Sequence, residues 1–392
     1  MRRIAALTVA SLLATSAAAQ TVKIGVVNTF TGPQAMFGDM TDRAFKLYQK
    51  LHDKELPAGV KLEFVTRDDG GPNPDKARQL AQELVVRDRV QILAGVAFTP
   101  NAMAMAPLAT EAKIPLILTN AGTSVVTTRS PYIVRFSFTL WQSCVPLGEW
   151  AAKNFKRAYT LVADYAPGQD AEVAFAQGFK AGGGELVGSV RVPLQNPDFA
   201  PYMQRVKDAK PDALMVFVPA GKTSTSVMKT FADLGLAAAG IKLIGPGDIT
   251  TDEELPNMGD VALGVTTVFH YSAAADRPAN RRFVEAWKKE YGANATPNFA
   301  AVAAWDAMAA IFHVVKEQNG KIDSERTMEL LKGYRNADSP RGPIAIDPET
   351  RDIVQNEYLR EVRRVNGQLA NVELETVATA VKDPWKEMQK KK

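Results

Sequence analysis

The chain has 392 residues, 46% of them hydrophobic and 23% charged, with a formal charge of +4 from 47 basic and 43 acidic side chains. A near-balanced charge without a basic stripe excludes an electrostatic nucleic-acid footprint. A single cysteine, Cys144, excludes an internal disulfide and a multi-cysteine metal site, so stability must come from an ordinary apolar core, with enough chain for two domains.

The N-terminus reads as a secretory signal peptide over residues 1–19. Arg2 and Arg3 supply the positive start, Ile4 to Leu13 the apolar stretch, and Ala17-Ala18-Ala19 the small-residue cleavage pattern, so the mature chain is expected to begin at Gln20. A membrane span needs roughly 20 apolar residues; this stretch breaks at Thr15 and Ser16, and no other stretch approaches that length. Cys144 lies far from the cleavage point, so no lipid-bearing cysteine anchors the new terminus.

Short β-branched runs then alternate with helical stretches. Strands are predicted at Val22 to Asn28, Val60 to Thr66, Val90 to Gly95 and Pro115 to Thr119. Between them come helices at Gly38 to His52, Asn73 to Asp88 (opened by Pro74) and one through Met103, Met105 and Leu108. A second series follows: helix Ser143 to Asn154, strand Ala158 to Asp164, helix Asp170 to Ala181, strand Glu185 to Val192, helix Phe199 to Ala209, strand Ala213 to Val218, helix Thr225 to Leu234 and strand Ile241 to Gly245. Apolar strands linked by helices imply parallel crossovers, and two such series imply an α/β chain with two doubly wound lobes. The last third differs, with helices at Asn280 to Tyr291, Asn298 to Asn319 and Ser324 to Gly333. Strands at Pro343 to Ile346, Glu357 to Val365 and Asn371 to Val377 then end the chain, so it should cross between the lobes more than once. Lys390-Lys391-Lys392 reads as a solvated end.

Doubly wound sheets bind ligands beyond the carboxyl ends of their strands. The loops there, Thr29 to Gly38, Ala97 to Asn101 and Asn120 to Ser124, combine small or hydroxylic residues with helix starts that leave backbone N–H groups free for an anion. A helix cap explains any one of these residues; three such loops on one side of a sheet point to binding.

On these residues the chain resembles the leucine/isoleucine/valine-binding type of periplasmic solute receptor of ABC transporters. The resemblance rests on VKIGVVN followed by TGPQAMFGDM, Asp68-Asp69 before Asn73-Pro74, Gly95 with Thr99, Ile114-Pro115 leading to NAGTS, LVADYAPGQ, Ile244-Gly245-Pro246 and Arg341-Gly342-Pro343-Ile344. It implies the type I periplasmic-binding-protein fold: two doubly wound lobes joined by three crossover segments, with the ligand cleft between them. The expected N-terminal lobe is 20–140 with 271–342, the C-terminal lobe 141–270 with 343–382, and 383–392 a basic tail. Also implied are a periplasmic monomer, a small carboxylate ligand, hinge closure, a membrane permease as partner, and neither catalysis, cofactor nor metal.

Carried over residue by residue, the resemblance puts the ligand carboxylate near Thr99, Ala121 and Thr123, with Phe37 as an aromatic wall; Asn101, at the end of the Ala97 to Asn101 loop, is also expected among the ligand-binding residues. The side that would meet an α-ammonium is altered. Leu140 stands at an acidic position, Gly168 and Ala220 at tyrosine positions, and Gly247 at a second acidic position, with Asp248 one residue later and Tyr165 three before Gly168. A buried ammonium without a partner costs several kcal/mol, whereas Phe98, Phe138, Trp141 and Tyr165 add apolar surface. The expected ligand is an aromatic acid without an α-amino group; the alternative is a branched-chain or aromatic amino acid held by Asp248 and Tyr165. An exported enzyme is the remote alternative: His52, His270 and His313 stand in no catalytic context. Gly182-Gly183-Gly184 follows a helix rather than opening one, so it is a cap and turn rather than a phosphate loop.

Overall fold

A computed structural model of the protein describes residues 20–391; the expected signal peptide, 1–19, lies outside the described residues. Residues 20–135 build one sheet. Strands β1 (Gln20–Asn28), β2 (Val60–Asp68), β3 (Ile92–Gly95), β4 (Leu116–Leu118) and β5 (Ile133–Arg135) pair in the order β2-β1-β3-β4-β5, all parallel. Helices α1 (Met36–His52), α2 (Pro74–Val86) and α3 (Thr99–Glu111) make the crossovers. The Asn73 side chain caps α2 by accepting from the Lys76 N–H at 3.2 Å, and Pro74 occupies the first turn, where its missing N–H leaves nothing unsatisfied.

The chain then passes to a second sheet through α4 (Leu140–Asn154). Strands β6 (Arg157–Ala163), β7 (Glu185–Val192), β8 (Ala213–Phe217), β9 (Lys242–Pro246) and β10 (Thr266–Phe269) alternate with α5 (Ala166–Ala181), α6 (Ala200–Ala209), α7 (Lys222–Asp233) and the single turn α8 (Leu255–Met258). Their parallel order, β7-β6-β8-β9-β10, repeats that of the first sheet. A second passage returns the chain through α9 (Pro278–Tyr291) and α10 (Phe299–Glu317), which pack on α1, and then α11 (Ser324–Leu331). A third leads through β11 (Arg335–Asn336) and β12 (Ile344–Ile346) to β13 (Ile353–Val365), antiparallel to β10, and β14 (Gln368–Val381). Asn366 and Gly367 join β13 to β14 with φ of 51° and 83°, the left-handed pair that a two-residue hairpin needs.

Two expectations change. Helix α10 is, by length and composition, capable of spanning a membrane, contrary to the reading that no stretch besides the leader approaches that length. It is apolar nearly all round because it lies inside the core, with Phe299, Ala303, Ile311 and Val315 all buried. The segment 383–392, expected as a basic tail, instead begins with a docked helix: α12 (Pro384–Gln389), capped by the Asp383 side chain, packs on α4 and buries Lys386 against Asp352 and Thr127, while Lys390 and Lys391 are exposed.

Candidate functional site

The carboxyl ends of the two parallel sheets face each other across a cleft, and between them lies a small, largely filled pocket. From the first sheet come Ala97, Phe98 and Thr99 beyond β3, Asn120 and Gly122 beyond β4, and Phe37 at the start of α1. From the second come Tyr165 and Pro167 beyond β6, Phe217 and Pro219 at the end of β8, and Asp248 beyond β9. Phe138 and Leu140 enter from the first passage between the sheets.

Five aromatic side chains wall this space. Phe37 meets Phe98 edge to face at 6.1 Å, and Tyr165 stacks on Phe217 at 6.1 Å. Phe138 is backed by Phe269 at 4.9 Å and by the His270 ring at 5.3 Å. His270 is fully buried, and burial, together with the charges of Arg341 and Arg360, holds it far below the usual histidine range, so it packs as a neutral ring.

The polar groups divide between the lobes. On the first, the Thr99 hydroxyl donates to Thr123 Oγ1 at 3.1 Å, and Asn120 Nδ2 donates to the Ala97 carbonyl at 2.7 Å. Thr99 opens α3, whose first N–H groups lack helical acceptors and carry the positive end of the dipole. The backbone is bent to present them. Gly95 and Val96 have φ of 105° and 67°, a conformation that a β-branched residue adopts only under constraint. The constraint is visible: Val96 donates to the Val27 carbonyl at 2.8 Å and its own carbonyl accepts from the Ala121 N–H at 3.2 Å. Arg135, fully buried, holds the adjoining loops by donating to the Thr123 carbonyl at 2.7 Å and the Phe138 carbonyl at 3.1 Å.

On the second lobe the polar group is Asp248. It is 3% exposed, its Oδ2 finds no hydrogen-bond partner, and burial pushes its carboxyl up to about 7, despite the opposing charge of Arg360. The Tyr165 hydroxyl is pushed well above the usual phenol range by burial and then by the charge of Asp248.

Contacts across the cleft mouth hold the lobes together. Gln34 Nε2 donates to Thr223 Oγ1 at 2.8 Å, the Lys222 N–H to the Pro33 carbonyl at 3.3 Å, and the Ser124 N–H to Asp170 Oδ2 at 3.1 Å. The protein is therefore in a closed form.

Of the twelve residues singled out from sequence, Phe37, Phe98, Thr99, Tyr165 and Asp248 line the cavity. Thr123 stands behind Thr99 as its partner. Ala121 is not an unobstructed donor, since its N–H is taken by Val96. Asn101 turns away: its Nδ2 donates to Asp69 Oδ2 at 2.8 Å and the Gly71 carbonyl at 2.9 Å, tying α3 to the loop after β2. Trp141 is buried in the first turn of α4, outside the lining. Gly168 cannot stand in for a tyrosine, because a Cβ there would lie 1.8 Å from the Ala163 carbonyl oxygen; the aromatic of that loop is Tyr165. Gly247 is pressed against Phe269 and Arg360, 2.2 and 2.4 Å from where its Cβ would be, so the carboxylate is Asp248. Ala220 is buried beside the lining residue Pro219. Ala97, Asn120, Gly122, Pro167, Phe217 and Pro219 were not singled out. Phe217 was findable by the strand-end rule, while Asn120 and Gly122 lay inside a loop already marked.

The model of the periplasmic binding protein family matches residues 21–368. The Leu/Ile/Val-binding protein homolog 6 of Brucella melitensis biotype 1 is 43% identical over 380 residues, 96% of this chain and 97% of its own. A solute-binding protein of an ABC transporter from Rhodopseudomonas palustris BisB5, solved with 3,4-dihydroxybenzoic acid, is 52% identical with a TM-score of 0.89 over 93% of this chain and 99% of its own. A second from R. palustris, solved with 4-hydroxybenzoate, is 42% identical with the same TM-score and coverage.

Proposed function

The chain belongs to the periplasmic binding protein family, and on that premise we propose that it captures an aromatic carboxylate without an α-amino group for an ABC importer. The observation that carries this reading is a pocket walled by the rings of Phe37, Phe98, Phe138, Tyr165 and Phe217, with the Thr99 helix start and Asn120 on the first lobe. Burying a benzene ring there removes on the order of 150 Å² of apolar surface from water, about 3–4 kcal/mol. Two or three hydrogen bonds to the carboxylate then bring the total near the −8 kcal/mol of micromolar binding. An α-ammonium finds little: Leu140, Pro167, Phe217 and Pro219 are apolar, and a lone Asp248, itself pushed toward neutrality, is the one acidic group in the lining. The ligands of the two R. palustris relatives are of the proposed class.

The family works in the periplasm and binds solutes rather than converting them. For this chain we extend the reading to export by the leader at 1–19 and delivery to a membrane permease. The proposed lobes are 20–140 with 271–342 and 141–270 with 343–382. The proposed ligand shell is Phe37, Phe98, Thr99, Asn120, Phe138, Tyr165, Phe217 and Asp248, with Thr123 supporting it. The test is a thermal-shift panel of the mature protein with benzoate, hydroxybenzoates and phenylpropenoids against leucine, isoleucine, valine and phenylalanine. Saturating ligand, about 100 times Kd, stabilises by about 2.7 kcal/mol, a shift of a few degrees. Shifts from aromatic acids are expected; shifts from amino acids alone would overturn the reading and make Asp248 and Tyr165 ammonium partners.

A further inference from the structure

Two lining oxygens lack a hydrogen-bond partner, Asn120 Oδ1 on the first lobe and Asp248 Oδ2 on the second, and the second is the one that the binding of a simple aromatic carboxylate does not use. Asp248 is 3% exposed and lines the space from the second lobe, with Oδ2 lacking any hydrogen-bond partner. Arg360 is close enough for its charge to act on Asp248 but is committed elsewhere, donating to Thr267 Oγ1 and the Tyr271 carbonyl and lying over the Phe269 ring. A buried acceptor left without a donor is costly, and here it faces an otherwise apolar wall. The ring's carboxylate belongs at the opposite lobe, where Thr99 and the start of α3 stand, so Asp248 faces the far edge of the ring. A carboxylate is disfavoured there, because two anions would be buried together unless one of them takes up a proton.

We propose that Asp248 is a specificity-determining residue that accepts a hydrogen bond from a ring hydroxyl on the edge away from the ligand carboxylate, so that the site prefers hydroxylated benzoates to benzoate. The inference rests on the aromatic-acid reading above and narrows it. A neutral phenol suits this position chemically: it donates to the ionised carboxyl and accepts from the protonated one, so it satisfies Asp248 in either form. Tyr165, whose hydroxyl feels the charge of Asp248, supplies the neighbouring aromatic face. A ring without the hydroxyl leaves Oδ2 buried and unpaired. Sites built to hydrogen-bond a hydroxyl reject analogues lacking it for this reason.

Calorimetry on the mature protein with benzoate, 3-hydroxybenzoate, 4-hydroxybenzoate and 3,4-dihydroxybenzoate tests it. The wild type should bind the best hydroxylated acid on the order of 10- to 100-fold more tightly than benzoate. That ratio should shrink in Asp248→Asn, which keeps an acceptor oxygen, and fall to about one in Asp248→Leu. Equal affinity of the wild type for benzoate and every hydroxybenzoate would overturn the proposal without needing a variant. So would a ratio unchanged across all three proteins, each checked for folding by its unliganded melting temperature. Failure of every benzoate to bind while amino acids do so would instead overturn the underlying reading.

Discussion

Arg341 Nε donates to Asp306 Oδ2 at 2.8 Å with both side chains out of contact with solvent, and the same guanidinium takes the Phe136 and Ser137 carbonyls at 2.8 and 3.0 Å. Asp306 belongs to α10, Phe136 and Ser137 to the first passage between the sheets, and Arg341 to the third. One buried cation thus fixes two hinge segments against the core helix. The planar fork suits this work because three acceptors in different directions are met by one rigid group.

Loss of one partner from this pair should therefore be severe. Arg341→Met leaves Asp306 buried with only the Ser339 hydroxyl, and a destabilisation of about 3–5 kcal/mol is expected. In Arg341→Met/Asp306→Leu the stranded charge is gone, so most of that loss should return. Denaturant unfolding of the two variants decides it; a double variant as unstable as the single would show that the carbonyl contacts, not the ion pair, carry the effect.

Stability should fall as pH rises through neutrality, and Glu357 is one identifiable cause. It is fully buried beside Ser143, and burial pushes its carboxyl up to about 8, against relief from that hydroxyl and the charges of Arg360 and Arg341. The folded state binds the proton more tightly than the unfolded chain, where glutamate titrates near about 4.3. The proton is therefore lost at a cost to the folded state that starts above about pH 4 and is complete above about pH 8. Each tenfold preference is worth about 1.4 kcal/mol. Asp248 and Glu253, both pushed up to about 7, add to the same slope. Unfolding of the wild type should become easier between pH 6 and pH 8, and Glu357→Gln, which keeps an acceptor for Ser143, should show a smaller decline. Equal declines would remove Glu357 from the explanation.

Closure has its own terms. Gln34 and Thr223 meet across the cleft mouth, outside the cavity, so Gln34→Ala should weaken every ligand alike by stabilising the closed form less. A partly exposed neutral hydrogen bond is worth about 0.5–1.5 kcal/mol, so affinity should drop roughly two- to tenfold. Selectivity among benzoates should not change; a change would mean that Gln34 reaches the ligand.

The alternation of apolar strands and helices was legible because β3, β4, β6, β8 and β9 are buried apolar runs and helices such as α2 and α7 bury one face at helical spacing. Strands β5 and β10 were missed because IVR and TTVF are too short to carry a period, and their identity comes from pairing with β4 and β9. The Asn366-Gly367 turn was a readable hairpin signal that went unused. At the site, residue types at strand ends pointed to the cavity, but side-chain direction did not follow from them. Asn101 and Thr99 stand two apart in the first turn of α3, yet one clamps Asp69 and the other faces the cavity. Gly168 and Gly247 were read as losses of ligand contacts. Their lack of a Cβ instead lets α5 and the Phe269 ring close in, a constraint visible only in three dimensions.

The two threonines at the carboxylate end should separate in the same way. Thr99 lines the cavity and Thr123 supports it through a 3.1 Å hydroxyl contact, both buried. On binding, the Thr99 hydroxyl turns its one proton to the carboxylate and accepts from Thr123 instead. Thr99→Val therefore removes a donor to a charged group, a loss of about 1.5–3 kcal/mol, and affinity should fall on the order of 10- to 100-fold. Thr123→Val should weaken binding less, because Thr99 keeps its hydroxyl and loses only the hydroxyl partner that orients it. Its cost appears elsewhere: the Thr99 hydroxyl is left without its buried partner, so the unliganded protein should lose about 1–3 kcal/mol of stability. A ligand without the charge gives the control. With 4-hydroxybenzamide in place of 4-hydroxybenzoate, the penalty of Thr99→Val should shrink toward that of an ordinary hydrogen bond, about 0.5–1.5 kcal/mol. Calorimetry of both variants with both ligands, beside their unliganded melts, gives all four comparisons. Equal losses for the acid and the amide would mean that Thr99 does not touch the carboxylate, and the ligand would then lie reversed, with its carboxyl toward Asp248.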